Sequence, residues 1–470
     1  MVKKLLFGLA LLTTTGAISQ TRYIDDVFSS VDVTSDVYYA TSIDRGGNDQ
    51  DLHFDIYQPA GDNSEELRPL IVLCSEGSFL RNDKKDPYIL DYANRMVKKG
   101  YVVASLEYRI GWVLPTPIIS TPEDNARNII PASWRAMQDY RAAIRFFKKS
   151  IQQGGNPYRI DPNLIIGGGF GAGAYLPING ETIDRSVEFT YDSMLKKNEN
   201  TGEVEGTGPY IDTTLEGLGG IYDVSNGSAG YSSSINICLI YSGAMIDTAM
   251  FDEGTNPMAI SVHGTDDQTT PFKSDVVYAQ LGPTDLAEII PVHGTYQINR
   301  ILYGLGKNTY FKDIDSDGYP QPIIEDNQQG PLNMYERGLY PFKGEGYMPW
   351  DEENGESATY SLFMDTLVTY TAHRLAPFIE DFGGNSIENG PELVNSLKLF
   401  PSPATDKLSL SAANGIENVS VMNINGQIVL EADFKGVRST TLDISELARG
   451  SYFIKVQTDK GKIVEKFMKE

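Results

Sequence analysis

Between residues 52 and 174 the chain alternates continuous apolar runs with windows of helical periodicity, and this alternation constrains its fold more than any other feature. Leu52–Pro59 alternates with period two and stops at a proline, as a half-buried strand does. Pro69–Cys74 and Leu164–Ile166 are apolar throughout and Tyr101–Leu106 is broken only by Ser105, the pattern of strands buried on both faces. Between them, Tyr88–Lys99 places Ile89, Tyr92, Ala93, Met96 and Val97 on one helical face, with Gly100 as its stop. Ala136–Ser150 is a second amphipathic window. Further on, Ala259–Val262 reads as a strand and Ser361–Phe378 as a late helix. Strand–helix–strand order of this kind predicts an α/β fold with a doubly wound, mostly parallel sheet. In such sheets ligands bind beyond the carboxyl ends of the strands, so the loops after Cys74, Ile166 and Val262 should share one surface.

The strand at Leu164–Ile166 runs into Gly167-Gly168-Gly169-Phe170-Gly171-Ala172-Gly173 and then into small residues that open a helix. Strand, sharp glycine turn and helix form the setting of the G-x-S-x-G elbow, which lifts a seryl oxygen above a sheet. Here the five-residue window is Gly169-Phe170-Gly171-Ala172-Gly173, and the central position has no hydroxyl.

The chain of 470 residues is too long for one compact core. Composition shifts at residue 381, where a Gly-, Asn- and Glu-rich stretch reads as a linker over 381–396. Beyond it, short alternating segments (Leu408–Ser411, Val419–Ile424, Gln427–Glu431, Thr440–Ile444, Tyr452–Gln457, Ile463–Met468) predict a small antiparallel β-sandwich over 397–470. At the other end, Lys3-Lys4, the apolar Leu5–Leu12 and the small residues Ala17-Ile18-Ser19 read as a secretory signal peptide over 1–19. The main domain is then 20–380. A net charge of −24 repels phosphate backbones and argues against a nucleic-acid partner. The two cysteines, Cys74 and Cys238, each lie in an apolar run, which predicts buried thiols rather than a disulfide.

The tail carries Phe400-Pro401-Ser402-Pro403, Asn425-Gly426-Gln427, Leu442-Asp443-Ile444-Ser445-Glu446-Leu447 and Gly450-Ser451-Tyr452-Phe453-Ile454-Lys455-Val456. With these landmarks it resembles the type A C-terminal sorting domain of type IX secretion cargo. That resemblance implies the type IX machinery as a partner and passage across the outer membrane to the cell surface or beyond. Outer-membrane or cell-surface proteins are further expected partners. The middle of the chain resembles α/β-hydrolase carboxylesterases, through Leu52–Pro59, Glu107-Tyr108-Arg109, Gln138–Phe147, Ile160-Asp161-Pro162-Asn163 and His263-Gly264-Thr265-Asp266-Asp267.

Mapped residue by residue, that second resemblance implies a degenerate site. Gly171 takes the nucleophile position and Asp267 the position of the triad acid. Tyr347, within Gly344-Glu345-Gly346-Tyr347-Met348-Pro349, takes the place of the base, and a phenol at its ordinary pKa accepts no proton at neutral pH. The oxyanion loop reads Ser75-Glu76-Gly77-Ser78-Phe79, with a carboxylate at Glu76 where the family carries glycine. Phe79, Phe170, Tyr347 and Trp350 are expected to line a small-ligand pocket, and core packing is the competing role for each. Separately, Asp313-Ile314-Asp315-Ser316-Asp317-Gly318-Tyr319 fits the first half of a Ca²⁺ loop, with ligands from Asp313, Asp315, Asp317 and the Tyr319 carbonyl; a solvated acidic turn is the alternative. The reading is a secreted, non-catalytic hydrolase homologue that binds a ligand or acts as an accessory or scaffold protein. The rivals are an active esterase with an atypical site and a subunit of an outer-membrane assembly.

Overall fold

The computed structural model describes residues 21–112, 121–197, 201, 204–215, 217–219, 228, 230–251, 256–280, 286–311, 323–326, 330–333, 338–342, 358–383, 397–400, 404–423, 428–458 and 461–469. The expected signal peptide, most of the linker, Tyr347, Trp350, Asp313, Asp315, Asp317 and Tyr319 lie outside the described residues.

The main domain is built on an eight-stranded sheet. Its strands are β1 (Val31–Ile43), β2 (Asp49–Pro59), β3 (Arg68–Cys74), β4 (Val102–Leu106), β5 (Ile160–Phe170), β6 (Ile237–Tyr241), β7 (Met258–Gly264) and β8 (Leu339–Phe342). Their spatial order is β1-β2-β4-β3-β5-β6-β7-β8. The first two pairings, β1 with β2 and β2 with β4, are antiparallel, and every later one is parallel. Every residue of β3, β4, β6 and β7 is buried, which is why these strands read as mostly apolar runs and not as alternations. Cys74 and Cys238 are buried free thiols on β3 and β6.

Helices cover both faces. On one side lie α1 (Pro87–Lys98) and α5 (Ala358–Phe382), whose Tyr92, Met96, Leu367 and Phe378 pack with Ile71, Leu73, Ile166 and Ile260 of the sheet. On the other lie α2 (Pro122–Gln153) and α3 (Tyr175–Thr182), whose Trp134, Tyr140 and Leu176 pack with Val72, Ile165 and Ile240. The second helix starts well before the predicted Ala136. Pro131 inside it reads as a breaker, but Thr121 and Asp124 form a reciprocal capping box at its start, and tertiary burial carries the helix through the proline. α4 (Thr295–Gly304) lies against β7. None of the described helices is long and apolar enough to cross a membrane.

Among the elements without a counterpart in the sequence reading is a hairpin. Strands Ser274–Gln280 and Leu286–Gly294 pair antiparallel in a three-stranded sheet of their own, completed by Ala244–Met245, and this hairpin lies beside α2.

The tail is an antiparallel sheet of five strands: Lys398–Phe400, Lys407–Asn423, Ile428–Asp443, Gly450–Thr458 and Gly461–Lys469. Two of them are longer than expected. Leu408–Ser411 and Val419–Asn423 belong to one strand, with register shifts between Ser411 and Asn418, and its partner Ile428–Asp443 likewise spans two predicted segments. Leu408, Leu410, Val419, Val421, Ile454 and Val456 form its core.

Candidate ligand site at the turn after the fifth strand

The three loops expected to converge do so. The loop after β3 (Glu76–Arg81), the turn after β5 (Gly171–Tyr175) and the loop after β7 (Gln268–Thr270) line one cleft of about 1400 Å³. α2 and the Ser274–Gln280/Leu286–Gly294 hairpin close its far side.

The turn is fixed by how closely the backbone packs. A Cβ on Gly173 would stand 2.4 Å from the Cys74 carbonyl oxygen and 2.5 Å from that of Ser75, so only glycine lets the turn lie against the end of β3. Gly171 sits at the tip with φ +49°, the left-handed conformation in which an elbow nucleophile is held. That conformation costs an L-residue roughly 1–2 kcal/mol, a penalty glycine avoids. A Cβ built on Gly171 would face Glu76, 3.1 Å from its Cβ and 3.7 Å from Oε2.

Glu76 therefore turns toward the tip of the elbow and not toward solvent; its side chain is only 14% exposed. Its Oε1 accepts from the Arg81 guanidinium at 2.9 Å, and Arg81 is 76% exposed. The backbone N–H of Glu76 donates to the Tyr88 hydroxyl at 3.3 Å, which in turn donates to Asp86 at 3.0 Å. Burial raises the Asp86 carboxyl above its ordinary pKa, against the opposing bond from Tyr88. The loop itself is strained: Gly77, Ser78 and Phe79 all have positive φ (+134°, +52° and +57°).

Ser75 is buried beneath this loop. Its hydroxyl accepts from Asn82 at 3.0 Å and from the Asp83 N–H at 3.2 Å, and its carbonyl accepts from the Tyr108 hydroxyl at 2.8 Å, so it braces the loop from below. Phe79 lines the cleft and packs edge to face with Tyr108. Phe170 does not. It is fully buried on the other face of β5, its ring 5.1, 5.8 and 4.9 Å from those of Tyr88, Tyr92 and Tyr241. Successive strand residues point to opposite faces, and Phe170 falls on the α1 side. Tyr175 lines the cleft from the first turn of α3, and burial raises its phenol pKa.

Asp267 serves its own loop. Its Oδ1 accepts from the Thr269 N–H, the Thr269 hydroxyl and the Thr270 N–H at 2.9, 2.9 and 3.0 Å. Its Oδ2 stands 3.4 Å from Nε2 of His263, and both side chains are fully buried. His263 is further held by the Thr295 hydroxyl at Nδ1 (2.8 Å) and the Thr270 carbonyl at Nε2 (3.1 Å). A carbonyl only accepts, which assigns the proton to Nε2. The histidine thus lies under the loop and not in the cleft. The His263–Asp267 spacing was legible in the sequence as a motif, but its function as a loop brace shows only in three dimensions. The cleft's apolar wall, from α2 and the hairpin, was not anticipated.

A mostly parallel sheet in this order, an elbow after its fifth strand and an acid loop after its seventh define the α/β-hydrolase fold, with a separate antiparallel tail. Residues 54–205 match the BD-FAE family of esterase-like α/β hydrolases. Residues 398–470 match the secretion system C-terminal sorting domain. That tail engages the type IX secretion machinery and directs the chain to the cell surface or extracellular space. No curated protein sequence matches the chain. Among solved structures it is similar to a thermophilic esterase (Est2, butyrate bound) of the planctomycete Thermogutta terrifontis, with 14% identity, 73% of this chain and 94% of the other covered, and a TM-score of 0.35. It is similar also to a truncated carbohydrate esterase from gut microbiota, with 14% identity, 75% and 98% covered, and a TM-score of 0.38.

Proposed function

We propose that the secreted chain binds a small ligand in the cleft at Gly171 without forming an acyl-enzyme there. The observation that carries this reading is the pairing of Gly171 with Glu76. The elbow keeps its left-handed tip but offers no oxygen to attack a carbonyl, and a carboxylate oxygen stands 3.7 Å from where the nucleophile's Cβ would be. Two unit charges about 4 Å apart repel by roughly 4 kcal/mol at an effective dielectric near 20. One good oxyanion donor contributes about 2.7–4 kcal/mol. A carboxylate at this place opposes a developing oxyanion, and the site is better suited to holding a ligand than to stabilising a tetrahedral anion.

The rival is an active esterase with an atypical site, and the BD-FAE match favours it. Hydrolysis of p-nitrophenyl acetate and butyrate by the full chain, with fluorophosphonate labelling and peptide mapping, separates the two. The expected result is background turnover and no labelled serine. A labelled serine between residues 20 and 380, with turnover that disappears when it is changed to alanine, would overturn the proposal.

A further inference from the structure

The cleft has two chemically distinct parts. Away from the elbow it is an apolar chamber, walled by Trp134 and Met137 of α2, by Met194 and Ile211, and by Ile289 and Val292 of the hairpin, all of them buried. Its volume, about 1400 Å³, exceeds the ~300–1,000 Å³ usual for small-ligand pockets, so it has room for an extended apolar body. At the elbow end the lining changes to Glu76, Asp83 and Asp86, and among the described residues lining the cleft Arg81 is the one cation. Arg81 pairs with Glu76 at 2.9 Å through a guanidinium that is 76% exposed, which leaves three carboxylates against one cation at this end. The carboxylate nearest the tip, Glu76, also borders the volume that a side chain at position 171 would fill.

We infer that the cleft takes an apolar ligand bearing a primary ammonium head, with the head beside Gly171 against Glu76 and the apolar body in the chamber. The inference rests on the reading that the site binds without acyl transfer, and goes beyond it by naming the ligand's chemistry. An ammonium supplies three donors and a positive charge to a mouth dominated by acceptors. A carboxylate head of the same length meets like charge, and an ester brings neither charge nor donor. Association should be assisted by the field of the acidic mouth and should weaken with salt.

Isothermal titration calorimetry on the full chain tests this, with decylammonium chloride and sodium decanoate as probes below their micelle thresholds. Decylammonium should bind at least tenfold more tightly than decanoate at low salt, and the gap should narrow at 0.5 M salt. Across hexyl-, octyl- and decylammonium, affinity should rise about fourfold per methylene, which reports burial of the tail. Glu76→Gln should remove most of the preference for ammonium over carboxylate and leave the chain-length series intact. Asp86→Asn gives a second, independent reduction should Glu76→Gln fold poorly, as a thermal melt would reveal. Decanoate binding as tightly as decylammonium, or a head preference unchanged in both variants, overturns the inference. Those results leave the non-hydrolytic reading standing, whereas a labelled serine with ester turnover sinks that reading whatever the cleft prefers to bind.

Discussion

The turn at Gly171 and the loop at Asp267 occupy comparable places in the fold. Each follows a buried parallel strand, and each lines the same cleft. They are held by different means. The turn is held by backbone against backbone: Gly173 lies where any Cβ would strike the carbonyls that end β3. The loop is held by the acid itself, whose one oxygen collects three donors while the other faces His263. At the turn, then, the tip residue can change without altering the shape, because the shape does not depend on it. In the loop the acid cannot change without releasing the donors it gathers. An aspartate in this position therefore carries a structural role with or without a reaction to serve.

The largest expected effect tests the turn. Gly173→Ala places a methyl 2.4 Å from one backbone oxygen and 2.5 Å from another, and neither can move without shifting the end of a central strand. The variant should lose about 3 kcal/mol or more of stability in urea unfolding. A loss below about 1 kcal/mol would mean that the close approach does not define the turn.

The next largest tests the loop. Asp267→Ala strands the Thr269 N–H, the Thr269 hydroxyl and the Thr270 N–H in a part-buried loop and should cost about 2–3 kcal/mol. Asp267→Asn keeps the accepting oxygen and should cost about half as much. Equal losses for the two variants would show that charge, and not the three-donor cradle, holds the loop.

This contrast also explains what the sequence made legible. Strands such as Leu70–Cys74 and Ile237–Tyr241 show plainly because burial on both faces demands an unbroken apolar run, and the elbow shows because its glycines are dictated by local geometry. The hairpin over the cleft does not, since Leu286–Gly294 interleaves buried and exposed positions and includes Pro291, a residue that usually argues against a strand. The facing of Phe170 was lost for a related reason: in a turn of consecutive glycines no neighbouring side chain reveals which face is inward, so its place among the core tyrosines emerges only from the register of β5 with β6. The orientation of Glu76 depends on three successive residues with positive φ, two of which, Ser78 and Phe79, are residue types that seldom adopt it. No local pattern announces such strain. The long tail strands were split in two because bulges interrupt alternation just as turns do.

The smallest expected effect lies at the tip itself. Gly171→Ser must adopt φ +49° with a side chain, a penalty of about 1 kcal/mol, and its Cβ meets the Glu76 Cβ at 3.1 Å, which is tight but can be relieved by a small shift of the loop. The total should be about 1–2 kcal/mol in urea unfolding, well below the cost at Gly173 two residues away. Pairing it with Glu76→Gly separates the two contributions. Removing the opposing Cβ abolishes the crowding and leaves the backbone penalty, so the double variant should be more stable than the sum of the single losses predicts, by about 0.5–1 kcal/mol. Strict additivity would mean that Glu76 does not stand over the tip.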